Sequence, residues 1–318
     1  MIHVPALRSF LRDRNALVAQ LQSCWGGLHG RLRDGLHGGL HGRLRDGLHG
    51  RLHGRLHGGP RESRVPLFSF WEPRERLPPY LRLCMETWAR HFTGFEVILM
   101  DYSNMDRYIG RETYNRSNLL KLTLPQQADA VRVAALERHG GAWMDCDTIA
   151  VASAAPLLEL GGQHDLISFG KAGRRTAVGL MYARRPHARV FSEWRATCEA
   201  RIKDLPRVRP WSYLSNDVVT PWIQQSRFSD KEWHIADRTE YGIFAETMAL
   251  KKYGKEIYNQ YWFDTSAEGG KTLMGGKQFA MCLHNSWTPG WYREKSREWI
   301  IGDSRERLSR VLRLALLK

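Results

Sequence analysis

Residues 128–151 read ADAVRVAALERHGGAWMDCDTIAV, and the fold turns on this stretch. Ala128, Val131, Ala135 and Leu136 recur at helical spacing, and Gly140-Gly141 stands where a helix stops and a turn begins. A short apolar run follows, Ala142-Trp143-Met144, which meets Asp145-Cys146-Asp147 and resumes as Thr148 to Val151. That is the pattern of a buried strand carrying carboxylates at its end. Two acids at i and i+2 offer hard oxygen ligands, which suit Mg²⁺ or Mn²⁺ and leave the rest of the shell to water and phosphate oxygens. Asp129 and Arg132, at i and i+3, share a helix face and are placed to flank the same ligand.

The strand-helix-strand order upstream agrees with this. Val65 to Trp71 predicts a first strand, Pro79 to Phe92 a helix with Leu81, Met85, Trp88 and Ala89 aligned, and Phe95 to Met100 a second strand ending at Asp101. In open α/β sheets, ligands sit at the carboxyl ends of the strands, where Trp71 falls. Downstream, helices are expected at Pro156–Leu160 and Arg189–Lys203 and strands at Asp165–Phe169, Thr176–Tyr182 and Gln278–Leu283. The last strand delivers His284-Asn285-Ser286-Trp287.

The order Asp129-x-x-Arg132, His139-Gly140-Gly141, Trp143-Met144-Asp145-Cys146-Asp147 resembles the Asp-x-Asp sugar-transferase family, which includes bacterial capsular polysaccharide synthesis proteins, yeast initiating mannosyltransferases and clostridial glucosylating toxins (glycosyltransferase family 32-like). The likeness extends to residues 66–109 and, more weakly, to His284-Asn285-Ser286-Trp287. It implies a GT-A-like α/β domain, a Rossmann-like mixed sheet flanked by helices, over 64–292. It implies transfer of a sugar from a nucleotide diphosphate donor, a UDP-sugar being expected, to a hydroxyl of a cell-surface glycan of capsule or lipopolysaccharide type, with retention at the anomeric carbon. Asp147 would bind the Mn²⁺ or Mg²⁺ directly, and Asp145 would bind it through water or hold the ribose. Asp129 would hold sugar hydroxyls, Arg132 would lie near sugar and phosphate, Trp71 would stack on the nucleobase, His284 would be a third metal ligand and Trp287 would face the β-phosphate. Each role has a structural counterpart: a strand-end acid pair capping a helix, a Trp plugging the core edge, a satisfied histidine after a strand. Asp217 follows Ser215-Asn216 just ahead of an apolar run, and is either part of an N-cap or a catalytic, acceptor-facing carboxylate. Residues 231–275, rich in Tyr and Trp, read as an acceptor-side loop region in which Trp233, Tyr241, Tyr258, Tyr261 and Trp262 are sugar contacts or gap-fillers. Two other readings stand beside the glycan transferase: a transferase acting on a protein side chain, and a non-catalytic basic adaptor binding membrane or acidic polymer.

With 318 residues, 42% of them hydrophobic, the chain can bury one large core or two modest ones. Its net charge of +15 is concentrated at the ends: residues 1–64 hold eleven Arg against four acids, and 293–318 hold eight basic residues against four acidic. That distribution favours contact with an anionic membrane or acidic partner over a nucleic-acid groove. Cys24, Cys84, Cys146, Cys198 and Cys282 are odd in number and show no paired metal-ligand spacing, so a reducing cytoplasm is expected. Peripheral contact at the inner membrane face is expected from the arginine-bearing apolar stripes at both ends, and a lipid-linked acceptor from the surface-glycan role that the resemblance implies.

The division expected is an amphipathic segment at 1–27, a tetrapeptide repeat arm at 28–60, the transferase domain at 64–292 and a basic amphipathic helical segment at 293–318. Residues 28–59 are eight tetrapeptides in register, LHGR LRDG LHGG LHGR LRDG LHGR LHGR LHGG, whose ten glycines each cost a helix about 1 kcal/mol against alanine. They read as low-complexity sequence with no catalytic role, although six histidines there offer metal ligands. Leu308, Val311, Leu312, Ala315 and Leu316 share one face of the terminal helix, which packs on the domain or lies on a membrane.

Overall fold

Val65 to Phe70 runs as an apolar β1 because both faces of the strand are covered, and it pairs in parallel with β2 (Phe95–Met100) on one side and β3 (Gly141–Met144) on the other. The structure, a computed structural model, describes residues 64–241, 254–263, 265 and 277–317. The amphipathic segment and the tetrapeptide repeat expected before residue 61 lie outside the described residues, as does much of 242–276. Arg61–Lys318 forms one compact unit.

The main sheet has six strands in the order β2-β1-β3-β6-β5-β7, with β5 at Leu166–Lys171, β6 at Arg175–Ala183 and β7 at Trp233–Asp237. β6 pairs antiparallel with β3 and β5, while β5 and β7 are parallel, so five strands share one direction and β6 alone is reversed. A second sheet pairs β4 (Thr148–Ala150) antiparallel with β8 (Ala280–Cys282). The α/β expectation, a mixed sheet flanked by helices, is met.

The principal helices are α1 (Pro79–His91), α2 (Leu124–His139), α3 (Arg189–Lys203), α4 (Asn216–Gln224), α5 (Lys255–Trp262) and α6 (Arg307–Leu317). α2 begins earlier than its apolar spacing suggests, because Thr123 caps it: the Gln126 side chain accepts the Thr123 N–H at 3.2 Å, and a proline occupies its first turn. It is buried on nearly all sides, lying between β1 and β3 of the sheet and α3. Gly140 and Gly141 both take positive φ, 66° and 87°, and a Cβ at Gly141 would collide with the Pro66 carbonyl of β1. The Gly-Gly pair therefore turns the chain and lets β3 lie against β1.

The run after the turn is not one strand. The Thr148 N–H bonds back to the Asp145 carbonyl at 3.0 Å, closing a turn over Asp145-Cys146-Asp147, and the chain leaves the large sheet for the small one. The buried Cys146 thiol lies 3.1 Å from Ser69 Oγ and fixes the bend. The acids thus sit at the carboxyl end of β3, where two sheets meet.

Two further expectations are corrected. Trp233, Tyr241, Tyr258 and Trp262 are buried in the core, so they are not sugar contacts, and their segment includes β7 and α5. The 293–318 segment, drawn as separate, is folded into the domain: Leu308, Val311, Leu312 and Ala315 of α6 are buried in a cluster with Leu81 and Cys84 of α1 and Ile149 of β4. Of the two readings of this stripe, packing on the domain and lying on a membrane, the structure shows the first. No helix among the described residues is long and apolar enough to cross a membrane. Leu312, fully buried, should cost about 2–5 kcal/mol when cut to alanine, measured by urea unfolding. A helix lying on lipid would leave the unfolding midpoint in vesicle-free buffer unchanged.

Candidate functional site

α2 and β3 converge on Arg132. Its guanidinium lies 3.1 Å from Asp129 Oδ1 on the same helix and 3.0 Å from Asp145 Oδ1 at the end of β3. It also stands over the Trp143 ring, 5.0 Å from the centroid, and the Trp143 indole N–H donates to Asp145 Oδ1 at 2.7 Å. Residues 143 and 145 face the same side because side chains on a strand repeat every second position. Arg132 and Asp129 are 3% and 4% exposed, whereas the Asp145 side chain is 41% exposed. Asp145 is therefore the open member, aimed by the other three. Room for it comes from Gly179 of β6, where a Cβ would stand 2.6 Å from Asp145 Oδ2.

Asp147 faces the C-terminal part of the chain. Its Oδ2 accepts the Asn285 N–H at 2.7 Å, and its carbonyl accepts the Leu283 N–H at 2.9 Å. Tyr80 of α1 donates to Asn285 Oδ1, and the His284 N–H donates to the Tyr258 hydroxyl at 2.9 Å. The His284 ring packs between Tyr258 and Trp287, with centroids 5.7 and 4.9 Å away.

Burial pushes the Asp129 carboxyl up to about 6, with the Asp145 charge adding to the rise and Arg132 and a hydrogen bond from Ser215 opposing it. Burial together with the Asp145 charge pushes Asp147 up to about 7, opposed by the Asn285 N–H. Carboxylates this crowded favour a cation. Asp145 and the open oxygen of Asp147 provide the hard donors that Mg²⁺ or Mn²⁺ takes, so the residues fit such an ion. Among the described residues, the ligand atoms of Asp145, Asp147 and His284 do not all lie within 4.8 Å of one another.

The other expected residues are placed as follows. Trp71 is half-buried at the end of β1 and lines a cavity of about 600 Å³ with Arg76, Arg82 and Arg293; its indole Nε1 is buried without a hydrogen-bond partner. The acid pair does not line that cavity. Trp287 is half-buried on the same cluster of α1, α5 and α6. Asp217 is exposed in the first turn of α4, whose N-cap position is Ser215, and it accepts from Ser212 Oγ at 2.6 Å. Its neighbour Ser215 is the residue that reaches Asp129. Ser215, Trp143 and the Tyr80–Asn285 strap were not foreseen from sequence. Strand period would have revealed Trp143; nothing local marks the other two.

A sequence model described as capsular polysaccharide synthesis protein matches residues 60–197, the segment that carries β1, α2, the Gly-Gly turn and the acid pair. The resemblance drawn from those motifs is met by this match. No curated protein matches. Among solved structures, the chain is similar to the apo-form glycosyltransferase GlyE of Streptococcus pneumoniae TIGR4 (13% identity, TM-score 0.40, 80% of this chain and 61% of that one). It is also similar to a glycosyltransferase involved in glycosylation of the major capsid of PBCV-1 (12%, 0.39, 73% and 98%) and to the PaToxG glycosyltransferase (11%, 0.36, 80% and 86%). The chain thus spans 61% of the length of GlyE.

The crowded acids set a pH signature. A carboxyl whose pKa is higher folded than unfolded (about 4) destabilises the fold once ionised, so its penalty is absent below about pH 4 and complete above the folded value. Metal-free protein should therefore rise in melting temperature as pH falls from about 8 to about 5, and Asp147→Asn should flatten that rise. An equal slope in the variant would remove Asp147 from the cluster.

Proposed function

We propose that the chain is a metal-dependent glycosyltransferase that moves a sugar from a nucleotide diphosphate donor, a UDP-sugar, to a hydroxyl of a cell-surface glycan, with retention. The observation that carries this reading is the Asp129–Arg132–Asp145 bridge set beside Asp147 at a strand end, on the segment that matches the capsular polysaccharide synthesis pattern. Asp147 and Asp145 would hold Mn²⁺ or Mg²⁺, which when bound neutralises the departing diphosphate as a Lewis acid. Trp71 and the arginines of its cavity suit a planar base and phosphates.

Arg132 is held between two carboxylates and Asp129 is covered, so their first task is to fix Asp145. Trp287 is kept as a phosphate-side contact. Asp217 is engaged by Ser212 on the exposed side of α4, and Ser215, at the N-cap position of that helix, is the residue that hydrogen-bonds Asp129. A panel of nucleotide sugars with Mn²⁺, read as nucleotide release, tests the reaction, and glycan against peptide acceptors separates this reading from a protein-modifying one. The anomeric configuration of the product tests retention. Asp147→Asn should lower turnover on the order of 100-fold or more with folding retained. Arg132→Lys should also be damaging, on the order of 10-fold or more, because an ammonium cannot span two carboxylates and stack on Trp143 as a planar fork does. Wild-type rates in both variants would sink the assignment.

A membrane-borne acceptor has a surface to meet. Leu120, Leu124, Val208 and Trp211 are four of the seven large apolar side chains exposed among the described residues. They lie on two segments laced together, Arg209 donating to the Lys121 carbonyl at 3.2 Å and Gln126 to the Pro210 carbonyl at 2.8 Å. Lys121, Lys203, Arg207 and Arg209 line a cavity of about 560 Å³ beside them. Apolar tips ringed by cations suit an anionic lipid interface. Binding to phosphatidylglycerol vesicles should fall about 5-fold on Arg207→Gln, since a cation near such a surface is worth about 1 kcal/mol, and further on Trp211→Ala. Unchanged binding in both variants would leave the acceptor to arrive from solution.

A further inference from the structure

The amino ends of β5 and β7 bring two imidazoles and a carboxylate together. His164 stands just before β5, Asp230 lies in the turn before β7, and His234 is the second residue of β7. Parallel pairing puts Leu166 opposite Trp233 and Ile167 opposite His234, and the Asp165 N–H bonds to the Lys231 carbonyl at 2.8 Å. Backbone hydrogen bonds thus fix how far apart the side chains stand. The turn is itself tied down, because the Glu232 carboxylate accepts the Ser229 N–H at 3.0 Å and its hydroxyl at 2.9 Å.

The two rings stack, with centroids 4.3 Å apart and planes 18° from parallel. His234 Nδ1 lies 2.8 Å from Asp230 Oδ1, and His164 Nδ1 lies 3.5 Å from Asp230 Oδ2 and 2.8 Å from the Asp230 carbonyl. One ligand atom from each residue falls within 4.8 Å of the others, the only such group of three among the described residues.

We propose that His164, Asp230 and His234 bind a borderline divalent transition-metal ion, best matched by Zn²⁺. Ligand atoms on a tetrahedral zinc at about 2.0–2.1 Å stand roughly 3.3 Å apart, and the nitrogen-to-carboxylate separations of 2.8 and 3.5 Å bracket that value. Two imidazoles with one carboxylate favour zinc over Mg²⁺ or Mn²⁺, which take oxygen sets such as the Asp145–Asp147 pair. His164 and His234 side chains are 13% and 27% exposed and Asp230 is 71% exposed, so a hydrated ion reaches the site and water fills the remaining position. β3, β5 and β7 run the same way, so this site and the acid pair lie at opposite ends of the sheet. The ion would cross-link β7, an edge strand, to its neighbour β5 at the point where the preceding turn enters the sheet. That protects an edge strand from fraying and from pairing with other chains.

The test titrates Co²⁺ into the full chain, following the visible absorption of a four-coordinate ion, and Zn²⁺ by calorimetry and melting temperature. Because the tetrapeptide repeat also carries histidines, the readout is the difference between variants. His234→Gln and Asp230→Asn should each remove one tight equivalent, with affinity lowered on the order of 100-fold or more, and should abolish the zinc-induced rise in melting temperature. Asp145→Asn/Asp147→Asn should keep that equivalent. If His164→Gln disturbs folding, Asp230→Asn, on an exposed turn, and His234→Gln carry the test. Identical zinc stoichiometry and affinity in the Asp230 and His234 variants overturns the proposal, as does loss of the equivalent in the Asp145/Asp147 double variant.

Discussion

A buried guanidinium must be paired, and in this chain the pairing of Arg132 decides the geometry of everything near it. At 3% exposure its desolvation is offset only because two carboxylates, 3.1 and 3.0 Å away, and an indole face meet it. One partner belongs to α2 and the other to the end of β3, so the ion pair docks helix to sheet as well as aiming Asp145. Three acids against one arginine still leave excess negative charge. Burial, with that excess adding to it, lifts Asp129 and Asp147, and a divalent cation would relieve the charge.

The second constraint is the bend at Asp145-Cys146-Asp147. By carrying the chain from the six-stranded sheet to the β4–β8 pair, it places Asp147 within reach of Asn285, some 138 residues later in the chain. The site is thereby built from both halves of the domain. Its first half lies inside the segment that matches the capsular polysaccharide synthesis pattern, and its second half, the His284–Trp287 strap held by Tyr80 and Tyr258, lies outside it.

How much of this was legible follows from what each signal reports. Periodicity located β1, α1, β2, α2 and α3, because their apolar spacing is imposed by burial on known faces. Gly140-Gly141 was legible as a turn, although its close approach to Pro66 was not. The acid pair was legible and its bend was not, since the apolar residues on either side of Asp145-Cys146-Asp147 are covered in both sheets and read as one strand. Ser215 and Asp217 share one polar cluster, and only the rotation of α4 shows which of them faces Asp129. The aromatics of 233–262 looked exposed because short elements break the periodicity, yet four of the five contacts expected there fill the core. His164 and His234 are 70 positions apart, and only the β5–β7 register joins them.

The C-terminal helix shows why an amphipathic stripe with arginines is ambiguous from sequence. A face that packs on a protein core and a face that lies on lipid need the same apolar spacing, and the cations distinguish them only through what they touch. Arg313 donates to the Ser304 carbonyl at 2.8 Å and the Ile300 carbonyl at 3.1 Å, and Arg307 stands 4.0 Å from the Tyr261 ring centroid. These cations serve the fold they belong to. At 118–126 and 203–211 the arrangement is reversed: the apolar tips stay exposed although the segments are held together by backbone carbonyls, and the cations line the rim. That surface adjoins the amino end of α2, the helix whose second turn carries Asp129, so one of its apolar tips, Leu124, shares an element with Asp129 and Arg132.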